Sequence, residues 1–281
     1  MNKFLIVDGS NLLFQMFFGM PARILNEEGK AIQGTLGFVG ALLKIIRMVE
    51  PTHVAVLFDG EHGTERNRLD GAYKGNRPDY SEMAEEDSPF SQLPDVYRAL
   101  DYLEIKHIET IECETDDWMA EYAFTYGKEN RIYIASFDSD FFQLITENVS
   151  VLRYRGDRTV ICTPAFVKER FGICPEQYAD HKALTGDAAD NIKGIPKVGP
   201  KTATALLNRF GSIEKMLERL DEVDKKGLRE ALEAQRERLL LNRRLIELKG
   251  GYPLPFSLDV LTYTDLGRTT TQVLREIGLR K

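Results

Sequence analysis

At 281 residues and 43% hydrophobic content, the chain carries enough apolar material for one large domain or two smaller ones. No run approaches the roughly eighteen apolar residues of a membrane span, and the stretch after Met1-Asn2-Lys3 is too short for a signal segment, so no membrane contact and a cytoplasmic location are expected. A net charge of −7 and a pI near 5.3 argue against a generic nucleic-acid binder, while three cysteines in no paired spacing exclude a disulfide framework and a zinc site.

The first expected element is a buried strand over Phe4-Leu5-Ile6-Val7. Residues 35 to 49 follow as an amphipathic crossover helix, with Leu36, Val39, Leu42, Leu43, Ile46 and Val49 on one face. His53-Val54-Ala55-Val56-Leu57-Phe58 is a second buried strand. Between residues 70 and 95 lies a segment rich in Gly, Pro, Ser and acids, containing Tyr73-Lys74-Gly75-Asn76-Arg77-Pro78. A segment of that size without periodicity in a compact protein is usually functional or mobile. Residues 116 to 126 are expected to be helical with Thr115 as N-cap, and Arg131 to Ser136 form the third strand. Strands alternating with helices make an α/β fold with a mostly parallel sheet and helices on both faces. Past about residue 185 the chain turns to charged, helix-favouring segments such as Asp224 to Leu248, with no strand expected.

Each expected strand ends in acid. Val7 is followed by Asp8, Phe58 by Asp59, and Ser136-Phe137 by Asp138-Ser139-Asp140. In open α/β sheets the ligand crevice lies outside the carboxyl ends of the strands, so these aspartates should converge. Glu114-Thr115-Asp116-Asp117 and Gly186-Asp187-Ala188-Ala189-Asp190 add two further acidic clusters. A lone Asp at such a position is usually a cap or a solvated charge. So many carboxylates on one rim would repel and protonate unless cations filled the gap, and an all-oxygen donor set favours Mg²⁺ or Mn²⁺ over zinc. The acidic total is then no bar to a DNA partner, because bound cations neutralise the rim locally.

These segments, from Val7-Asp8-Gly9-Ser10-Asn11 through Tyr73-Lys74-Gly75-Asn76-Arg77 and Gln143-Leu144 to Ala183-Leu184-Thr185-Gly186-Asp187 and Asp190-Asn191, carry a resemblance to the flap endonuclease and 5′-nuclease family. That family includes the 5′-nuclease domain of bacterial DNA polymerase I and the phage 5′ exonucleases, and the resemblance covers nearly the whole chain. It implies a PIN-like nuclease core over residues 1–185 with a helical arch at 70–95, and a helical duplex-binding region over 186–281 with a helix-three-turn-helix at 190–210. It further implies that Asp8, Asp59, Glu114 and Asp116 hold one metal ion, and that Asp117, Asp138, Asp140, Asp187 and Asp190 shape the site of a second.

By the same resemblance Lys74 sits beside the scissile phosphate, Arg77 makes a second phosphate contact, and Tyr73 offers a face for base stacking. The acids Glu82, Glu85, Glu86 and Asp87 of the arch are expected to face solvent. The turn carrying Lys193, Gly194, Lys197, Gly199, Lys201 and Thr202 resembles an element whose backbone amides bind duplex phosphates without reading sequence. Relatives often hold a K⁺ ion in this turn. Lys197 stands where the family usually has glycine, and a left-handed conformation would cost it about 1–2 kcal/mol, which argues for a reshaped turn and against the K⁺ site.

The expected activity is that of a monomeric, metal-dependent 5′-3′ exonuclease and flap endonuclease acting on DNA with a 5′ flap, a nick or a free 5′ end, RNA primers included. A catalytically silent junction-binding protein is disfavoured by the complete acid set. A PIN-type ribonuclease is disfavoured by Lys74-Gly75-Asn76-Arg77 and the duplex-binding turn, which small PIN domains lack.

Overall fold

The computed structural model describes residues 1–60, 65–77, 84 and 87–281. The three apolar runs are strands, and three further strands join them: β1 (Lys3–Asp8), β2 (His53–Phe58), β3 (Lys106–Glu109), β4 (Arg131–Ala135), β5 (Val149–Arg153) and β6 (Val160–Cys162). They form one six-stranded sheet in the order β3-β2-β1-β4-β5-β6, parallel except for β6, which runs antiparallel to β5. The α/β fold with a mostly parallel sheet therefore stands. The edge strands β3 and β6 carry no long apolar run, because an edge strand need not be buried on both faces, and in β5 the run is interrupted by Ser150.

Period-two alternation divides the hydrophobic interior between the two faces of the sheet. Leu5, Val7, Val54, Val56 and Phe58 point to one side and pack with α1 (Gly9–Gly19), α2 (Gln33–Val49), α4 (Leu93–Tyr102) and α12 (Thr270–Glu276). Phe4, Ile6, Ala55, Leu57, Ile132 and Ile134 point to the other and join a cluster that includes α5 (Thr115–Tyr126), α7 (Tyr178–Thr185), α8 (Pro200–Phe210), α9 (Ile213–Glu218) and α11 (Arg236–Ile246). The crossover helix expected over 35–49 begins two residues earlier, at Gln33. Thr115 is not the N-cap of α5 but its first residue, and Glu114 takes the cap position without a side-chain cap bond. The cap comes instead from the end of β2, where Asp59 Oδ1 accepts the Thr115 amide at 3.3 Å.

Two corrections concern the later part of the chain. A short antiparallel ladder of β7 (Gly186–Asp187) and β8 (Ile192–Lys193) stands where no strand was expected, since two residue pairs leave no readable pattern. The segment Asp224 to Leu248 holds two helices, α10 (Lys226–Ala234) and α11, broken at Gln235. Much of the expected arch, including Glu82, Glu85 and Glu86, lies outside the described residues. Asp87 is described, and its exposed carboxylate sits 3.9 Å from Arg23. No helix among the described residues is long and apolar enough to cross a membrane.

Candidate active site

Between β1 and β4 the direction of the strand order reverses, and the loops leaving the two strands diverge there to open a crevice. Asp8 closes β1 at this point and caps α1, its Oδ1 accepting the Asn11 amide at 2.9 Å. Its Oδ2 accepts Ser136 Oγ–H at 2.8 Å, which ties the end of β1 to the loop after β4. The same Ser136 oxygen accepts the Asp138 amide at 3.0 Å, and Asp138 Oδ1 accepts the Asp140 amide at 2.8 Å. Asp59 comes in from β2, its amide donating to Ser10 Oγ at 2.9 Å. The strand-end aspartates and the start of α5 are thus fastened to one another through backbone amides and hydroxyls.

Ion pairing divides these acids into two sets, although burial raises a member of each, lifting Asp140 to about 7 against Lys182. Burial, then Asp59 and Asp138, push the Asp8 carboxyl up to about 7 against the bonds from Asn11 and Ser136. Burial and Asp138, with Asp59 and Asp8, likewise hold Asp116 well above the usual carboxylate range, Lys74 opposing them. Among the described residues no lysine or arginine forms an ion pair with Asp8, Asp59, Asp116 or Asp138. Asp140, Asp187 and Asp190 differ, because each has a basic partner. Lys182 contacts Asp140 Oδ1 and lies 2.5 Å from Asp187 Oδ2, while Arg77 reaches Asp190 Oδ1 at 2.9 Å. Among the described residues these three form the one group of three or more acids with oxygens all within 4.8 Å of one another.

Asp117 does not join either set. Both its oxygens are taken by Arg66, at 2.7 and 2.8 Å, in a fork that also reaches Glu114 Oε2 at 3.1 Å. Arg66 is 8% exposed and its remaining donors go to the carbonyls of Leu245 and Glu247. Glu114 Oε2 further receives Lys74 Nζ at 3.0 Å and the Tyr73 hydroxyl at 3.4 Å. Burial lowers the Lys74 pKa, yet Glu114 and Asp116 outweigh it and keep the ammonium charged. Tyr73 is 5% exposed, with its hydroxyl also 3.4 Å from Asp190 Oδ2, so its ring is packed inside rather than open for base stacking.

The segment around Lys74 is stitched to the β7–β8 hairpin. The Lys74 amide donates to the Asp190 carbonyl at 3.1 Å, Asn76 Nδ2 to the Ala188 carbonyl at 2.9 Å, and Asn191 Nδ2 to the Ala72 carbonyl at 2.8 Å. Lys74 and Asn191 both adopt left-handed backbone, with φ of 55° and 57°. Such conformations strain residues other than glycine and persist where surrounding contacts over-determine them.

Past the hairpin, Gly194 packs so closely on the Thr185 carbonyl that a Cβ would lie 2.2 Å from its oxygen, so no side chain fits. Lys197 does take the left-handed conformation, with φ of 70°, and the turn is kept rather than reshaped. Buried Ile195 and Val198 anchor it on either side, with the Val198 amide bonded to the Ile195 carbonyl at 3.0 Å. Gly199 caps α8, Pro200 opens it, and Lys201 and Thr202 lie in its first turn, where amides have no intrahelical acceptor. Lys193, Lys197 and Lys201 are exposed on this surface.

Arg66 and Lys182 were not among the residues singled out from sequence. Neither leaves a signal there: Arg66 sits in Glu65-Arg66-Asn67-Arg68 beside an exposed Arg68, and Lys182 in Asp180-His181-Lys182 reads as one more helix-surface charge.

Comparison with known proteins gives a consistent result. Residues 3–172 match the family model described as the 5′-3′ exonuclease N-terminal resolvase-like domain, and residues 173–269 match the 5′-3′ exonuclease C-terminal SAM fold. DNA polymerase I of Bacillus subtilis (strain 168) is 35% identical over 284 residues, covering 98% of this chain and 31% of that protein. The chain therefore spans about a third of the length of that relative. The 5′-3′ exonuclease of Buchnera aphidicola subsp. Acyrthosiphon pisum (strain APS) is 30% identical over 285 residues, covering 98% of this chain and 96% of that one. The fold is similar to that of the bacteriophage T5 D15 flap endonuclease in complex with DNA and metal ions, with a TM-score of 0.73 at 24% identity over 88% of this chain and 89% of the other.

Proposed function

The chain belongs to the 5′-3′ exonuclease family, and from that premise we propose that it hydrolyses DNA phosphodiester bonds near single-strand to double-strand junctions, as a 5′-3′ exonuclease and flap endonuclease. The observation that carries this reading is the set of Asp8, Asp59, Asp116 and Asp138, brought to one crevice without an ion pair among the described residues, with Asp8 raised to about 7. Carboxylates so arranged fit a hard divalent cation, Mg²⁺ or Mn²⁺, better than any soft one. Asp140, Asp187 and Asp190 form the second place for such an ion. Two divalent cations there would supply an activated water and neutralise charge developing on the scissile phosphate.

The chain's own residues do the rest. Lys74, its ammonium over the rim at Glu114, is positioned to meet a phosphate oxygen as negative charge grows on it. Arg77, half exposed beside Asp190, supplies a second contact to the strand. Arg66 holds Asp117 and Glu114 in place, so that Asp117 orients the site rather than ligating in it. On the neighbouring turn, Lys193, Gly194, Lys197, Gly199, Lys201 and Thr202 would hold duplex phosphates through exposed ammonium groups and the free amides at the start of α8. A K⁺ ion at this turn, a 5′ flap, nick or RNA primer as substrate, and a monomeric enzyme complete the proposal.

The test is direct. The purified protein is incubated with end-labelled 5′-flap, nicked and single-stranded DNA in Mg²⁺, in Mn²⁺ and in EDTA. Cleavage of the flap near its junction in either metal, and none in EDTA, is expected. Failure on every junction substrate in both metals would reject the enzyme and leave a junction-binding protein.

A further inference from the structure

Lys182 takes no part in the reaction proposed above, yet it lies in the middle of the site. Its side chain is 11% exposed and comes from the buried α7, and its ammonium sits between Asp140 and Asp187, 2.5 Å from the latter's Oδ2 and in contact with the former's Oδ1. These two acids and Asp190 are the group whose oxygens lie within 4.8 Å of one another. The three come from separate segments, the turn after β4 and the β7–β8 hairpin, and without a cation between them they would repel. An ammonium and a divalent cation seek the same oxygens, and two positive charges cannot occupy one such gap.

We propose that Lys182 is the built-in counter-cation of the second carboxylate cluster: in the metal-free protein it fills the position of the second divalent ion, and its displacement sets that ion's affinity. This rests on the two-cation reading above. Two consequences follow for metal uptake. The cluster is pre-assembled before any metal arrives, because Lys182 holds its acids together. The price is competition, since the incoming ion must break both lysine contacts, whereas no such competitor stands among Asp8, Asp59, Asp116 and Asp138. The first set therefore fills before the second.

Mn²⁺ binding to metal-free protein, followed by the electron paramagnetic resonance of free Mn²⁺, measures both affinities, and thermal unfolding in EDTA measures pre-assembly. For the parent, one tighter and one weaker site are expected. Lys182→Met should tighten the weaker site by at least about tenfold, in the range of ordinary coupling between sites, and lower the melting temperature in EDTA. Lys182→Arg should retain the weak site. A second site unchanged or weakened in Lys182→Met, with the first site as in the parent, would overturn the role of Lys182 alone. No Mn²⁺ bound at either site of the parent would instead remove the two-cation reading. Should Lys182→Met not fold, lysine acetylation of the parent read by mass spectrometry gives an independent answer. Lys182 should be protected in EDTA and become labelled at saturating Mg²⁺, and labelling that stays the same in both would overturn the proposal.

Discussion

Asp8, Asp59, Asp116 and Asp138 stand on one part of the rim without an ion pair among the described residues, whereas a few residues away Asp140, Asp187 and Asp190 are held by Lys182 and Arg77. The second set is drawn together, since among the described residues the paired acids form the one group of three or more whose oxygens all lie within 4.8 Å of one another. Asp8 is raised to about 7 by burial and by its acidic neighbours, and Asp116 is shifted the same way, while burial lifts Asp140 to about 7 even against Lys182. Composition alone cannot distinguish the two, as both are aspartates at the ends of buried elements. What separates them is whether the fold delivers a cation. Where it does, an ion pair draws the acids together, although burial still lifts Asp140 to about 7, and where it does not, only an ion from solution can do so.

That contrast can be broken first at Arg66, the most deeply buried cation of the site. Arg66→Met leaves Asp117 buried without its bidentate partner, and breaking a buried pair this way costs about 3–5 kcal/mol. Thermal unfolding should show it as a large fall in melting temperature, mostly restored by the double change Arg66→Met with Asp117→Leu. A fall of a degree or less would mean that the Arg66 fork is not what holds Asp117 in place. Lys74→Ala comes next and reads out in rate rather than stability. Losing a cation aimed at transition-state charge costs on the order of 3–4 kcal/mol, so single-turnover flap cleavage should drop about a hundred- to a thousandfold with flap affinity changed only a few-fold. A saturated rate within a few-fold of the parent would make Lys74 a guide for the strand. Arg77→Ala should have the smallest effect on the fold. Its side chain is 52% exposed, so solvent screens its pair with Asp190 and the expected loss is about 0–1 kcal/mol. A loss matching that of Arg66→Met would erase the distinction between buried and screened partners.

How much of this was legible in the sequence depends on the kind of information each residue carries. β1, β2 and β4 announced themselves because strands buried on both faces are continuous apolar runs, and the acids after them marked the crevice because parallel sheets place ligands there. β3, with the sequence Lys106-His107-Ile108-Glu109 at the sheet edge, has no such run to read. The cations were the blind spot. A buried arginine or lysine is spelled like a surface one, and only the fold shows that Arg66 and Lys182 point inward while Arg68 does not. Tyr73 failed for a related reason: beside two basic residues it reads as a stacking platform, but its ring is packed beneath Lys74, whose ammonium lies 5.0 Å from the ring centre. At Lys197 the strain was foreseen and the response was not. The turn between buried Ile195 and Val198 is held firmly enough to impose φ of 70° on a lysine.

The need of the raised acids for an ion is tested most directly by thermal unfolding of the parent protein across pH 5 to 8, a range chosen to bracket the Asp8 value, in EDTA and in saturating Mg²⁺. Asp8 holds its proton more tightly in the folded protein, at about 7 against an ordinary 3.8, so its contribution is fully present below about 4 and is lost as pH rises through about 7. Asp116 and Asp140 are shifted in the same direction and add to the loss. In EDTA the melting temperature should therefore fall as pH rises over this range, and Mg²⁺ should abolish most of that fall by taking the place of the protons. Coincident curves in EDTA and Mg²⁺ would contradict the account, because the raised acids would then need no ion to complete them.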